Sequence, residues 1–212
     1  MMKILFLDIK GNIFAWKDNI KTKYINEFND LIDSITEINS SQRQIAALCT
    51  NRSQVKFYDL RYSELICIAT IYDIKGSRFK NNIININDSI IAIAGYYIYI
   101  VDINSFIVTN KINCVFINSC ISKLSYEKGN CYFLVGQGLL NSYNDEIENV
   151  ILGYYEYNLK DIKIPDYNSL IKIASKTFSH EKLITSIRKI DDNIIVTGSY
   201  DGKIKFWKLT KI

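Results

Sequence analysis

His180 is the only histidine among the 212 residues, so any proton transfer built on imidazole must run through it. Asp201 follows within the same stretch, and Ser199 and Ser186 stand nearby, the makings of an orienting carboxylate, a base and a nucleophile. Such a triad is recognised by geometry rather than by order along the chain. A structural role for the histidine accounts for the same residues and for their spacing, so catalysis is not the expectation. Gly136-Gln137-Gly138 lacks the third glycine and the following helix of a dinucleotide loop. Asp145, Glu146 and Glu148 crowd one long inserted turn and read as a solvated loop. Five cysteines (Cys49, Cys67, Cys114, Cys120 and Cys131) show no CxxC spacing and sit in apolar runs such as AALCT and ELICIAT. A thiol in such a run behaves as a small hydrophobe. One histidine and scattered cysteines make no zinc ligand set. No metal and no cofactor is expected.

The elements that position these residues belong to a folded, water-facing protein. Hydrophobic residues make up 48% and charged residues 23%, which argues against disorder. The net charge of +4 is spread along the chain, whereas a nucleic-acid footprint needs clustered Lys and Arg. The opening apolar run is interrupted by Asp8 and Lys10, too early for a secretory core. Nothing approaches the roughly 20 apolar residues of a membrane span. With unpaired thiols as well, the expected location is intracellular, cytoplasmic or nuclear. There is one proline, Pro165, and only 9 glycines, so Asn and Asp must make the turns. Both tolerate left-handed backbone. Asn87-Asp88 and Asp191-Asp192-Asn193 are such signals.

The chain repeats itself. LITSIRKI (183–190) matches LIDSITEI (31–38) at five of eight positions, and KIKFWKL (203–209) matches QVKFYDL (54–60). Between them lie NIIVTG (193–198) and QIAALC (44–49), in the same order. GNIFAWK (11–17) matches GKIKFWK (202–208). SIIAIAG with YIYIVDI, and CYFLVGQG with NVILGYYEYNL, give two further copies. Aligned, the last segments place a bulky residue at Trp16, Tyr58, Val101, Tyr157 and Trp207. Their spacing of roughly 40–55 residues is that of a four-stranded propeller blade with insertions. Tyr24, Phe28, Leu31, Ile32 and Ile35 fall at helical spacing, so a helix over 22–37 competes with the strand reading there. The match of 31–38 to 183–190 favours strand.

The expectation is an all-β fold, a β-propeller of four-stranded antiparallel blades with about four and a half blades present. Strands over 3–8, 12–17 and 22–28 form an incomplete blade in 1–28. Full blades occupy 31–70, 82–112 and 119–178, and 179–209 supplies three strands (183–189, 193–198 and 203–209) without an outer one. An open stack exposes apolar faces and strand edges. The sequence therefore leads us to expect a larger, seven-bladed ring, completed by further blades before Met1 or by another chain.

The last copy, SHEKLITSIRKIDDNIIVTGSYDGKIKFWKL (179–209), resembles a WD repeat. It carries a Gly-His-like dipeptide, a strand ending in Gly-Ser, an Asp-Gly turn and a strand ending in Trp. The resemblance implies a structural hydrogen-bond network of His180, Thr197, Asp201 and Trp207. Ser179 stands where the family has Gly, and Lys208 where it often has Asp. Earlier copies have Lys10 and Arg52 at the Asp201 position and no histidine, so packing and strand pairing must hold them. The resemblance also implies partner-binding positions at Tyr200, Leu183 and Thr185, on the face where first strands enter. The 138–149 insertion is a second candidate surface. The function this implies is a non-catalytic scaffold binding other proteins in an intracellular assembly. An RNA- or ribosome-associated propeller is the alternative, and a propeller enzyme comes third.

Overall fold

Short runs of β-branched and aromatic residues, cut by Asn- and Asp-bearing turns, suit pleated strands and little else. The computed structural model describes residues 4–7, 13–17, 20–24, 32–39, 44–50, 54–59, 61, 66–74, 82–113, 117–140, 147–158, 170–177 and 180–208. Among these, every regular element is a strand. The first sheet holds β1 (Ile4–Leu7), β2 (Ile13–Lys17) and β3 (Ile20–Tyr24). The second holds β4 (Ile32–Asn39), β5 (Gln44–Thr50), β6 (Gln54–Asp59) and β7 (Ile66–Ile71). The third holds β8 (Asn82–Asn85), β9 (Ile90–Ala94), β10 (Tyr97–Asp102) and β11 (Ile107–Asn113). The fourth holds β12 (Ile117–Glu127), β13 (Asn130–Leu140), β14 (Ile147–Asn158) and β15 (Leu170–Thr177). The fifth holds β16 (Ile184–Lys189), β17 (Ile194–Ser199) and β18 (Ile204–Lys208). Each sheet is an antiparallel meander. Of the residues whose spacing would suit a helix over 22–37, Tyr24 lies in β3 and Ile32 and Ile35 in β4, which pairs with β5 along its length, while 25–31 lie outside the described residues. The inserted turn at 141–146 lies outside the described residues.

Turn chemistry follows the acidic and amide residues. Asn87 Oδ1 accepts the Ser89 N–H at 2.8 Å, and Asp191 Oδ1 accepts the Asn193 N–H at 2.7 Å, each between the first two strands of its sheet. After the third strand, Asp59 and Asp102 accept the N–H of Arg61 and Asn104 at 3.0 and 2.8 Å. These are Asx-type turns, made without glycine or proline.

The first strands of successive sheets adjoin, β4 against β8, β8 against β12 and β12 against β16. The sheets therefore radiate from an axis with their first strands innermost. Ile35, Ile83, Ile121 and Ile187 hold one register position in those strands, opposite Leu48, Ile93, Val135 and Thr197. Tyr58, Val101 and Trp207 are likewise equivalent, opposite Ala46, Ile91 and Ile195. In the fourth sheet the corresponding pair is Phe133 with Tyr155, two residues before the Tyr157 singled out by sequence spacing. The reason is local: β13 and β14 run for 11 and 12 residues, so aligning strand ends overshoots by one full alternation.

Packing joins unlike faces of neighbouring sheets. Val55 and Phe57 of the second sheet meet Ile91, Ile93 and Val101 of the third. Ile98 and Ile100 on the other face of the third meet Cys131, Phe133 and Val135 of the fourth. Cys120, Leu134 and Leu152 then meet Ile184, Ile187 and Ile195 of the fifth, with Trp207 packed alongside. Burying each such aliphatic or aromatic side chain stabilises the fold by about 1.5–3 kcal/mol. The fifth sheet breaks the series. Ile204 and Phe206 hold the register positions of Val55 and Phe57, and of Ile98 and Ile100. Those four are fully buried, whereas Ile204 is 70% and Phe206 69% exposed.

Candidate functional site

Strand β17 carries alternating residues into the fourth–fifth interface, which places Ile195 and Thr197 on the same face as Trp207. Thr197 and His180 are both buried. The indole N–H of Trp207 donates to Thr197 Oγ1 at 2.8 Å, and Thr197 Oγ1 lies 2.8 Å from His180 Nε2. The other ring nitrogen, Nδ1, lies 2.9 Å from Asp201 Oδ2. One proton arrangement satisfies every group. Asp201, a pure acceptor, takes the Nδ1–H; Nε2 is then unprotonated and accepts from the Thr197 hydroxyl, whose oxygen accepts from Trp207.

Asp201 also organises the turn before β18. Its carboxylate accepts the Lys203 N–H at 2.9 Å and the Glu181 N–H at 3.1 Å, and Gly202 adopts the left-handed φ of 75° that the turn requires. Burial by itself would raise the Asp201 carboxyl. The bonds from Lys203, His180 and Glu181 outweigh it and hold the group well below the usual carboxylate range.

The arrangement consumes the groups a triad would need. Ser199 donates its hydroxyl to the Lys182 carbonyl at 2.8 Å and accepts the Asp201 N–H at 3.1 Å. Both His180 nitrogens are occupied, and neither faces Ser199 or Ser186. Among the described residues no group of His, Cys, Asp and Glu could hold a metal ion. The geometry tethers the segment before β16 to β17 and β18.

The surface positions divide. Tyr200 stands 62% exposed at the tip of the β17–β18 turn, its N–H bonded to the Leu183 carbonyl at 3.1 Å. Thr185 is exposed, with its hydroxyl on the Gly198 carbonyl at 3.2 Å. Leu183, expected beside them as a contact, is 3% exposed; its role is to bury its side chain and receive Tyr200. Tyr96, at the equivalent turn of the third sheet, and Tyr72, just past β7, are exposed as well.

Sequence reading missed the polar links between sheets. Asn118 Nδ2 donates to the Gly95 carbonyl at 3.1 Å, and Gln137 Nε2 donates to Asn118 Oδ1 at 2.7 Å, all buried. An amide in the middle of an apolar strand was the available signal. Gly136 lies against Cys120 of its own sheet and Ile184 of the fifth. A Cβ there would stand 2.7 Å from Cys120 Sγ and 3.0 Å from Ile184 Cβ, so no larger residue fits without displacement.

No protein-family model matches the chain, and no curated protein matches it in sequence. Solved structures do. The WD40 β-propeller domain of Doa1 superposes with a TM-score of 0.62 at 13% identity, over 97% of this chain and 61% of that one. A chain of the Mitotic Checkpoint Complex gives 0.71 at 13% identity, over 99% and 61%. The C-terminal WD40 domain of Sif2 gives 0.63 at 11% identity, over 99% and 55%. This chain therefore spans about three-fifths of these three solved chains. Sheets stacked about one axis, joined to these superpositions, assign it the fold of a WD40 β-propeller, of which it forms a part.

Proposed function

We propose that the chain is a non-catalytic protein-interaction scaffold within an intracellular multiprotein assembly. The observation that carries this reading is a division of labour on one turn. His180, Thr197 and Asp201 face inward and have no free valence for chemistry, while Tyr200 is held out by the same turn. A rigidly mounted, exposed tyrosine suits a binding hot spot. One similar solved chain comes from the Mitotic Checkpoint Complex. A second partner surface is the exposed Ile204 and Phe206 face, whose register equivalents are covered by the next sheet. In this reading a further blade, from a longer chain or from another one, covers that face.

The test is quantitative co-purification from cell extract with wild-type, Tyr200→Ala and Lys208→Gln baits. Stoichiometric partners that drop at least about fivefold with Tyr200→Ala alone support the reading. Nucleic acid as the bound species, released steeply by salt, replaces it with the RNA-associated alternative.

A further inference from the structure

One face of the fifth sheet stands open. Ile194, Val196 and Gly198 of β17 pair with Lys208, Phe206 and Ile204 of β18, and Arg188 of β16 lies opposite Val196. Ile194, Ile204 and Phe206 are exposed, and Ile194, Phe206 and Lys208 border a hollow of about 640 Å³. An apolar patch with a polar rim marks a contact surface. The charges of this rim set it apart from its equivalents. Asp59, Asp102 and Glu156 hold the register position of Lys208 in the second, third and fourth sheets, so a cation stands where the others carry an acid. Thr36, Ile84 and Ser122 hold the position of Arg188, and all three are uncharged. Arg188 and Lys208 are exposed, and neither has an ion-pair partner among the described residues. Two acids border the hollow at the β16–β17 turn, and both are engaged. Asp191 accepts the Asn193 and Ile194 N–H groups, and Asp192 pairs with Lys189.

We propose that this face docks a partner protein whose apolar contact surface is flanked by carboxylates, placed to meet Arg188 and Lys208. This inference rests on the reading of Ile204 and Phe206 as a partner surface, adds the chemistry of what covers it, and does not depend on what Tyr200 contacts. A second copy imitating the inner interfaces is a poor match. It would present the first sheet, where Lys21 and Lys23 stand opposite Trp16 and Phe14, and so set cation against cation. Like charges brought together select against a partner, and opposite charges select for one.

The probes are two heptapeptides with a Leu-Phe-Leu centre, one flanked on each side by a pair of glutamates and the other by a pair of lysines. Each is titrated into the 212-residue chain at low ionic strength and followed by amide shifts. The acidic peptide should bind saturably and at least about tenfold tighter than the basic one. Its shifts should concentrate at residues 188, 194–196 and 204–208, a readout that needs no variant. Binding should weaken at least about fivefold in Phe206→Ala. The double variant Arg188→Glu, Lys208→Glu should prefer the basic peptide, and that reversed binding would itself show that the variant is folded. Equal binding of both peptides, or of neither, would overturn the acidic partner. Shifts confined to strands outside the fifth sheet, or indifference to Phe206→Ala, would overturn the underlying reading of this face as a partner surface. Self-association of the chain that Phe206→Ala abolishes, seen by sedimentation, would assign the face to a second copy and overturn the proposal as well.

Discussion

Lys123 and Lys189 occupy the same register position in consecutive sheets, two residues after Ile121 and Ile187, and make the same reach. Lys123 donates to the Ile86 carbonyl and Lys189 to the Leu124 carbonyl, each three residues past the equivalent isoleucine of the preceding sheet. The fourth sheet has no histidine network. Lys123 instead ties it to its predecessor from the axis.

Removing either tie should loosen one interface. Lys123→Met and Lys189→Met are each expected to cost about 1 kcal/mol, the net worth of one partly buried hydrogen bond. The converse change is available in the third sheet, where Asn85 holds the lysine position and its Oδ1 is buried without a partner. Asn85→Lys should reach the Ile38 carbonyl and stabilise by about 0.5–1 kcal/mol. Urea denaturation midpoints at constant m-value decide both, and an unchanged midpoint in all three variants refutes the equivalence.

Adjacent positions on the fifth sheet should respond oppositely. His180→Ala takes away the imidazole partner of the buried Thr197 hydroxyl and one of the donors to Asp201, and should cost about 1–3 kcal/mol. Tyr200→Ala, exposed at the turn tip, should change stability by no more than about 0.5 kcal/mol. Hydrogen exchange in β17 and β18 should accelerate in the first variant only. Acceleration in the second instead would move the turn register by one residue.

Acid should act on the same turn. Asp201 has its carboxyl held below its ordinary value of 3.8, so the folded state binds that proton less readily than the unfolded chain. Its stabilisation is complete above the unfolded value and fades as pH falls below about 4. Wild type and Asp201→Asn should therefore differ in melting temperature at pH 6, and the gap should narrow steadily as pH is lowered from about 4 toward 2. A constant gap across that range would show that the charge plays no part.

Thiol chemistry should separate the cysteines by place. Burial pushes both Cys120 and Cys131 up to about 12, so neither supplies thiolate at pH 8, whereas Cys67 is exposed. In a Cys49→Ser, Cys114→Ser background one thiol per chain should react with an aromatic disulfide reagent within minutes. The other two should wait for unfolding. Three fast equivalents would mean that the third–fourth and fourth–fifth interfaces open readily.

Two phenylalanines at one register position offer the sharpest contrast. Phe57→Ala should cost about 3–5 kcal/mol, as truncation of a fully buried ring does. Phe206→Ala should change the stability of this chain by no more than about 0.5 kcal/mol. A large loss for Phe206→Ala would mean that something in the isolated chain already covers it.

The repeat was legible because Leu183–Ile190 and Leu31–Ile38 carry apolar residues at the same four places, the first, second, fifth and eighth, with polar residues between. The His180 network was legible because His180 is the one histidine of the chain and Trp207 one of its two tryptophans. The lysine ties were not, since Lys is abundant here and nothing marks the two whose ammonium groups meet a carbonyl on another sheet. Leu183 was misplaced at the surface because position after a histidine says nothing of which way a side chain turns. Tyr157 displaced Tyr155 because strand ends were matched where pairing partners decide.

The contact of unlike faces gives the molecule a direction. A sheet that covers Ile204 and Phe206 as the inner sheets cover Val55 and Phe57 must offer the face that carries the Val101 or Trp207 position. Two copies meeting through Ile204 and Phe206 on both sides would be an isologous contact, a pairing absent from the three described interfaces between the second and fifth sheets. Association that imitates those interfaces is heterologous instead, and such contacts either close into rings or propagate without limit.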